Sequence, residues 1–105
     1  MQVTNIFNNI PKQLDQELFQ DIISKDGITI QRIVSQGEAT QDDKWYIQED
    51  DEWVIVLQGK ATLSFEDDSD IKLNSGDYIN IPAHKKHKVS STDSKKQTIW
   101  LAVHY

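Results

Sequence analysis

The sequence predicts an all-β domain, a small barrel or two-sheet sandwich, preceded by one short helix. Two observations carry that expectation. From residue 28 onward, short segments that alternate apolar and polar residues, or are rich in β-branched ones, follow each other about eight times at regular spacing. Turn-forming residues such as Asp26-Gly27, Gly59 and Gly76 separate these segments, and helical periodicity appears only ahead of them.

The helix is expected in the N-terminal extension, residues 1–27. Pro11 suits a first helical position, Asn9 stands upstream as a cap, and Leu14, Leu18 and Ile22 recur at spacing four. Gly27 closes it. The barrel is expected over residues 28–105, in a single domain spanning 1–105. Ile28-Thr-Ile30 alternates, and the phase shift at Ile33-Val34 hints at a bulge. Lys44 to Gln48 reads as a short strand. Val54 to Leu57 is continuously apolar, as in a strand covered on both faces. Ala61, Leu63 and Phe65, then Ile71 and Leu73, alternate around the acidic stretch Glu66–Asp70, which reads as a hairpin with a solvated tip. Ile79 and Ile81, His87 to Val89, and Thr98 to His104 complete the series.

Composition narrows the function. The 105 residues leave room for one domain, and a domain this small gains from pairing, so a homodimer is expected. With 17 acidic against 11 basic residues the net charge is −6, which argues against nucleic acid as a partner. No apolar run is long enough to span a membrane, and the polar N-terminus lacks a signal-peptide core. Cysteine is absent, which removes disulfides and thiolate metal sites and fits a cytoplasmic protein. No nucleophilic triad, P-loop or dinucleotide fingerprint is present.

Two stretches carry the chemical information. Glu52-Trp-Val-Ile-Val-Leu-Gln-Gly59 has a Glu and a Gly separated by six residues. Gly76-Asp-Tyr-Ile-Asn-Ile-Pro82-Ala-His-Lys-Lys-His87 has a Gly, five residues, a Pro, and a His five positions on. Together they resemble the two motifs of the cupin superfamily, and the wider pattern is similar to small single-domain bacterial cupins. The resemblance implies a jelly-roll β-barrel with an interior site for a divalent metal (zinc, iron, nickel or manganese) or a small-molecule ligand. His87 matches the second-motif histidine and Glu52 the first-motif carboxylate. The family's His-x-His pair is missing, and Tyr46 and Gln48 stand in its place.

Tyr46 and Gln48 share a strand face, and the turn through Glu49-Asp50-Asp51 can bring Glu52 beside Gln48. The expected metal or ligand site is therefore Gln48, Glu52 and His87, with Tyr46 and His84 as further candidates. Imidazole and carboxylate suit first-row divalent ions, whereas an amide oxygen is a weaker donor and tyrosine ligates well only as phenolate. The alternative is a Glu52–His87 pair bonded to Gln48 inside a barrel that binds an organic ligand or nothing. His84 reads as a turn residue, an extra ligand or a proton shuttle at the pocket mouth. His104 shares a strand face with Trp100 and Ala102 that lines either the cavity or a partner subunit, and it reads as a packed or interface residue, whereas the three tryptophans read as core, with cavity stacking the minor alternative. Three functions follow: a metal- or small-molecule-binding protein, a metal-dependent isomerase, lyase or dioxygenase on a small polar metabolite, and a non-catalytic structural dimer.

Overall fold

The computed structural model describes residues 1–37, 44–67 and 69–105, and eight strands lie among them. They are β1 (Leu18–Lys25), β2 (Ile28–Ser35), β3 (Glu52–Gln58), β4 (Lys60–Phe65), β5 (Asp70–Asn74), β6 (Tyr78–Ile81), β7 (His87–Thr92) and β8 (Thr98–His104). β1-β2-β8-β3-β6 form a five-stranded antiparallel sheet, and β5-β4-β7 form a three-stranded one. The two sheets pack face to face as a jelly roll, so the expected all-β fold is the observed one. No helix among the described residues is long and apolar enough to cross a membrane.

The expected N-terminal helix is not there. Residues 18–25 instead form β1, paired antiparallel with β2 and bulged between Asp21 and Ile23. The reason lies in Asp26-Gly27. Both residues have positive φ (51° and 80°), the backbone of a two-residue hairpin turn that favours Asp-Gly. That turn joins β1 to β2 rather than ending a helix. The spacing of Leu18 and Ile22 suited a helix, but the β-branched pair Ile22-Ile23 and the long pairing with β2 outweigh that local preference. The five-stranded sheet therefore begins at residue 18, inside the segment expected to be an extension.

Upstream of β1 the chain is irregular, and Arg32 holds it. This buried guanidinium on β2 donates to Gln20 Oε1 and to the backbone oxygens of Ile6 (2.9 Å), Asn8 (2.7 Å) and Asn9 (3.4 Å). Five donors on a planar fork let a single side chain clasp carbonyls that a helix would have satisfied internally.

Inward residues of both sheets fill the core: Ile33, Val54, Val56, Ala61, Leu63, Phe65, Leu73, Ile81, Trp100 and Ala102. Val54 and Val56 face this core, whereas Ile55 and Leu57 lie half-buried on the outer face of the same strand. Both sides of β3 are thus shielded to some degree, which accounts for its unbroken apolar run. The expected strand at Lys44–Gln48 is reduced to one bridge, in which the Tyr46 and His87 backbones exchange hydrogen bonds of 2.8 and 3.0 Å. At Gly59 the chain turns from the larger sheet into the smaller. Its φ is +86°, and a Cβ there would lie 2.5 Å from Thr98 Oγ1. Only glycine fits both the dihedral and the gap.

Candidate functional site

The inner faces of the two sheets border a cavity of about 270 Å³. Its walls are mostly apolar: Ile33, Val54, Leu63, Ile81, Val89 and Trp100. Polar side chains interrupt them in one group, formed by Tyr46, Gln48, Glu52, His87 and His104, and again at Glu17 and Gln31.

The group around Glu52 is positioned by strand register. Glu52 opens β3 on an inward position and is paired in the sheet with His104 of β8 on one side and Ile81 of β6 on the other. His87 opens β7 in the opposite sheet, facing the same interior. Gln48 is placed by its loop. The Gln48 carbonyl accepts from the His84 amide at 2.8 Å, and Asp51 exchanges backbone hydrogen bonds of 3.0 Å with Tyr105 while its side chain accepts from the Ala83 amide at 2.7 Å. The acidic turn is thus stapled to the loop preceding His87 and to the chain end, with Glu52 alone directed inward.

Glu52 is 8% exposed and His87 5%. Gln48 Nε2 donates to Glu52 Oε1 at 2.9 Å. His87 Nε2 stands 3.6 Å from the same oxygen, an ion-pair contact rather than a hydrogen bond. His104 Nε2 stands 3.9 Å from Glu52 Oε2. On its far side, His87 Nδ1 donates to the Lys85 carbonyl at 2.9 Å, which fixes the ring and leaves Nε2 toward the cavity.

Electrostatics follow from this packing. Burial pushes the Glu52 carboxyl up, but the His87 and Gln48 contacts and the charges of His104 and His87 outweigh it and hold it below the ordinary 4.5. Burial likewise pushes His87 down, while Glu52 and the Lys85 carbonyl carry it above the ordinary 6.5. Each group holds the other in its charged form. The cluster can therefore offer a bound molecule a carboxylate, an imidazole ring and an amide within one small volume.

Of the residues singled out in the sequence, Gln48, Glu52 and His87 meet in the structure. Tyr46 lines the cavity at its rim, 45% exposed, with its ring 6.1 Å from that of His87. His84 lies elsewhere. It does not line the cavity, its side chain is 62% exposed, and its Nε2 faces Glu49 at 3.8 Å. Its φ of +67° places it in the left-handed turn that such loops usually give to glycine. His104 is the residue whose face the sequence left open between the cavity and a partner subunit. It is neither core packing nor placed only on the outer face, but lines the cavity beside Glu52. Strand parity held the signal, since His104, Ala102 and Trp100 alternate on one face. Trp100 belongs to the core, its expected place, and lines the cavity as well.

The donor set bears on a metal. Two imidazoles and a carboxylate are chemically apt for zinc, iron, nickel or manganese. Their placement is less so, because among the described residues no group of three or more His, Cys, Asp or Glu is arranged to share one ion. Glu52 is engaged by Gln48 on one oxygen and approached by a different imidazole on each. As arranged, the cluster is a hydrogen-bonded and ion-paired network rather than a coordination sphere.

Comparison with known proteins agrees with this architecture. No curated protein matches the chain. A solved structure from Ralstonia eutropha JMP134, named a "putative mannose-6-phosphate isomerase", is 37% identical, with a TM-score of 0.94 over 99% of this chain and 97% of that one. A cupin superfamily protein from Desulfitobacterium hafniense DCB-2 is 25% identical, with a TM-score of 0.74 over 90% of this chain and 82% of that one. The structure of FeII HppE, 13% identical with a TM-score of 0.74 over 92% of this chain and 54% of that one, shares the fold alone. The Cupin domain family matches residues 33–104, which include both motif stretches and every member of the Glu52 group. The chain belongs to the cupin family.

Proposed function

We propose that the protein binds a small amphipathic molecule in its barrel, with the polar end of the ligand held by Gln48, Glu52 and His87. One observation carries the reading: a cavity large enough for a compact organic molecule, apolar along its walls, with convergent polar groups at one place. Small-molecule sites combine these features. His104 joins the polar end, and Tyr46 covers it from the rim.

A second reading, a metal-dependent isomerase, lyase or dioxygenase, draws on the two imidazoles and carboxylate gathered at Glu52 and on the isomerase name of the Ralstonia protein. Two features weigh against it. The donors are not arranged around one point, and no Lys or Arg is among the described residues lining the cavity, whereas a sugar phosphate calls for such a cation. The cysteine-free chain suits a reducing compartment, and the cytoplasm is the proposed location.

Metal analysis of protein purified without chelator, paired with ligand screening by NMR, separates the two readings. Sub-stoichiometric metal, together with small amphipathic molecules that shift the Trp100 indole and His87 ring signals, supports the binding role. Equimolar zinc, iron, nickel or manganese that is lost in folded Glu52→Ala and His87→Ala proteins would replace it with the metal reading. A protein without metal whose cavity signals respond to no molecule would leave the structural role.

A further inference from the structure

Among the described residues lining the cavity only Tyr46 and Phe19 are exposed, and both are aromatic. Tyr46 stands beside His87, at the polar end. Phe19 lies on β1, outside the segment matched to the Cupin domain family. β1 is the last strand of the five-stranded sheet, and the opposite sheet has only three strands among the described residues. Phe19 therefore faces the interior from an uncovered edge, 52% exposed.

Sheet register puts this ring in a row with the core. Phe19 pairs with Ile33, Ile33 pairs with Trp100, and all three line the cavity. Trp100 and Ile33 are buried, so the row runs from the core out to solvent. Phe19 and Trp100 are two strand spacings apart, roughly 10 Å. A ring laid over Ile33, midway between them, is about 5 Å from either, a separation at which aromatic rings attract.

The neighbouring polar groups leave this row to carbon contact. The indole has one donor, which Trp100 Nε1 gives to Ser35 Oγ at 3.2 Å, so its hydrocarbon surface is what it presents to the cavity. Ser35 Oγ donates in turn to Glu17 Oε2 at 2.6 Å, and Gln31 Nε2 donates to Asp21 Oδ1 at 2.9 Å. The polar side chains on both sides of Phe19 are thus engaged with protein partners.

Resting on the small-molecule reading above, we infer that the row Phe19–Ile33–Trp100 is an aryl subsite, with Phe19 the specificity residue that selects a planar aromatic body over an aliphatic one of similar size. Register also sets the length of the ligand. Val56 pairs with Trp100, and Glu52 lies four residues back along β3, about 13 Å at roughly 3.3 Å per residue. Side chains reaching in from both ends shorten that gap, so the ligand class is an arylalkyl compound whose short linker carries a hydrogen-bonding head to Gln48, Glu52 and His87.

The test uses two probes that differ only in the ring, 4-phenyl-1-butanol and 4-cyclohexyl-1-butanol. Each is titrated into the full chain while the Trp100 indole and Ile33 methyl signals are followed by NMR. Burial of apolar area alone gives the phenyl probe no advantage, so the comparison isolates the aromatic contribution. The phenyl probe is expected to bind about tenfold tighter, about threefold for each of two aromatic neighbours, and its ring current to move the Ile33 methyl signals upfield. Phe19→Leu removes one neighbour and lowers the ratio to about threefold, Phe19→Tyr keeps it, and thermal midpoints verify folding of both. A cyclohexyl probe that binds as tightly as the phenyl one, or a ratio unchanged in Phe19→Leu, overturns the aryl subsite, while the binding itself upholds the small-molecule reading. If neither probe moves the Trp100 signal the subsite also falls, and the small-molecule reading is decided by the ligand screen above.

Discussion

Replacing Glu52 by Gln tests the electrostatic account most directly, because it preserves size and removes one charge from a nearly closed site. Glu52 and His87 are 8% and 5% exposed, so water screens their interaction little. Burial is the strongest single influence on His87 and drives its pKa down. The ring nevertheless stays above 6.5 because Glu52 contributes through contact and charge, with the Lys85 carbonyl adding to it. Without the Glu52 charge, burial faces only the Lys85 carbonyl, and His87 is expected to titrate below 6.5. The stability cost is bounded by the same argument. Stripping one partner from a buried pair costs about 3–5 kcal/mol when the remaining charge has no escape. An imidazole escapes by losing its proton, so the loss near pH 6 is expected at about 1–3 kcal/mol, the range for leaving a buried polar group without its partner. Ring-proton shifts followed against pH, with urea unfolding at pH 6, measure both quantities. His87 titrating in Glu52→Gln at or above its wild-type value would refute the reasoning, whatever the stability change.

Three further outcomes follow from the same structure. Gly59→Ala forces a φ of +86° on a residue with a Cβ that would sit 2.5 Å from Thr98 Oγ1 and 2.9 Å from its Cα; strain and overpacking together cost about 2–5 kcal/mol, and a calorimetric loss under about 1 kcal/mol would show that β3 and β4 relax around it. The pH dependence of stability has a definite sign: the His87 contribution, whose folded pKa is raised, is complete below 6.5 and lost as pH rises through the folded value, while that of Glu52, whose folded pKa is lowered, is complete above 4.5 and lost as pH falls through the folded value. Together they place the maximum contribution of the pair between those two values, and a thermal midpoint still rising with pH above that range would contradict it. We propose that the outer face of the five-stranded sheet, with Ile23, Ile30, Trp53, Ile55, Leu101 and Val103 on it, pairs two copies of the chain, so sedimentation should give a dimer that Leu101→Lys dissociates; a wild-type monomer at micromolar concentration would refute the pairing.

How much of this was legible in the sequence varied with how local the cause was. The Gly59 and Gly76 turns, both with positive φ, and the alternation of β4 through β6 are short-range features, and they read correctly. The N-terminal strand did not, because the spacing of Leu14, Leu18 and Ile22 satisfies a helix while the decisive contacts are with β2 across the hairpin. Asp26-Gly27 was the available clue, being the strongest short hairpin signal a chain can carry. Gln48, Glu52 and His87 were legible as a group because motif spacing tracks strand register. His104 was not, since Ile99 to Val103 is apolar on both faces and alternation cannot tell inside from outside. Glu17 was beyond reach altogether. Its place depends on an irregular segment held by Arg32, and no periodicity marks such a contact.

The loss of the His-x-His pair takes on a different meaning once His104 is placed. Tyr46 and Gln48 occupy the two positions where a cupin of the usual pattern carries imidazoles, and Gln48 donates its amide N–H to Glu52. A second imidazole is still beside the carboxylate, but it arrives from β8, through the sheet pairing of His104 with Glu52. That route puts the two histidines on different oxygens of one carboxylate instead of side by side around a common point. An arrangement of this kind charges and orients a carboxylate. The substitution that first suggested a weakened metal site is thus coupled to a change in where the second imidazole comes from.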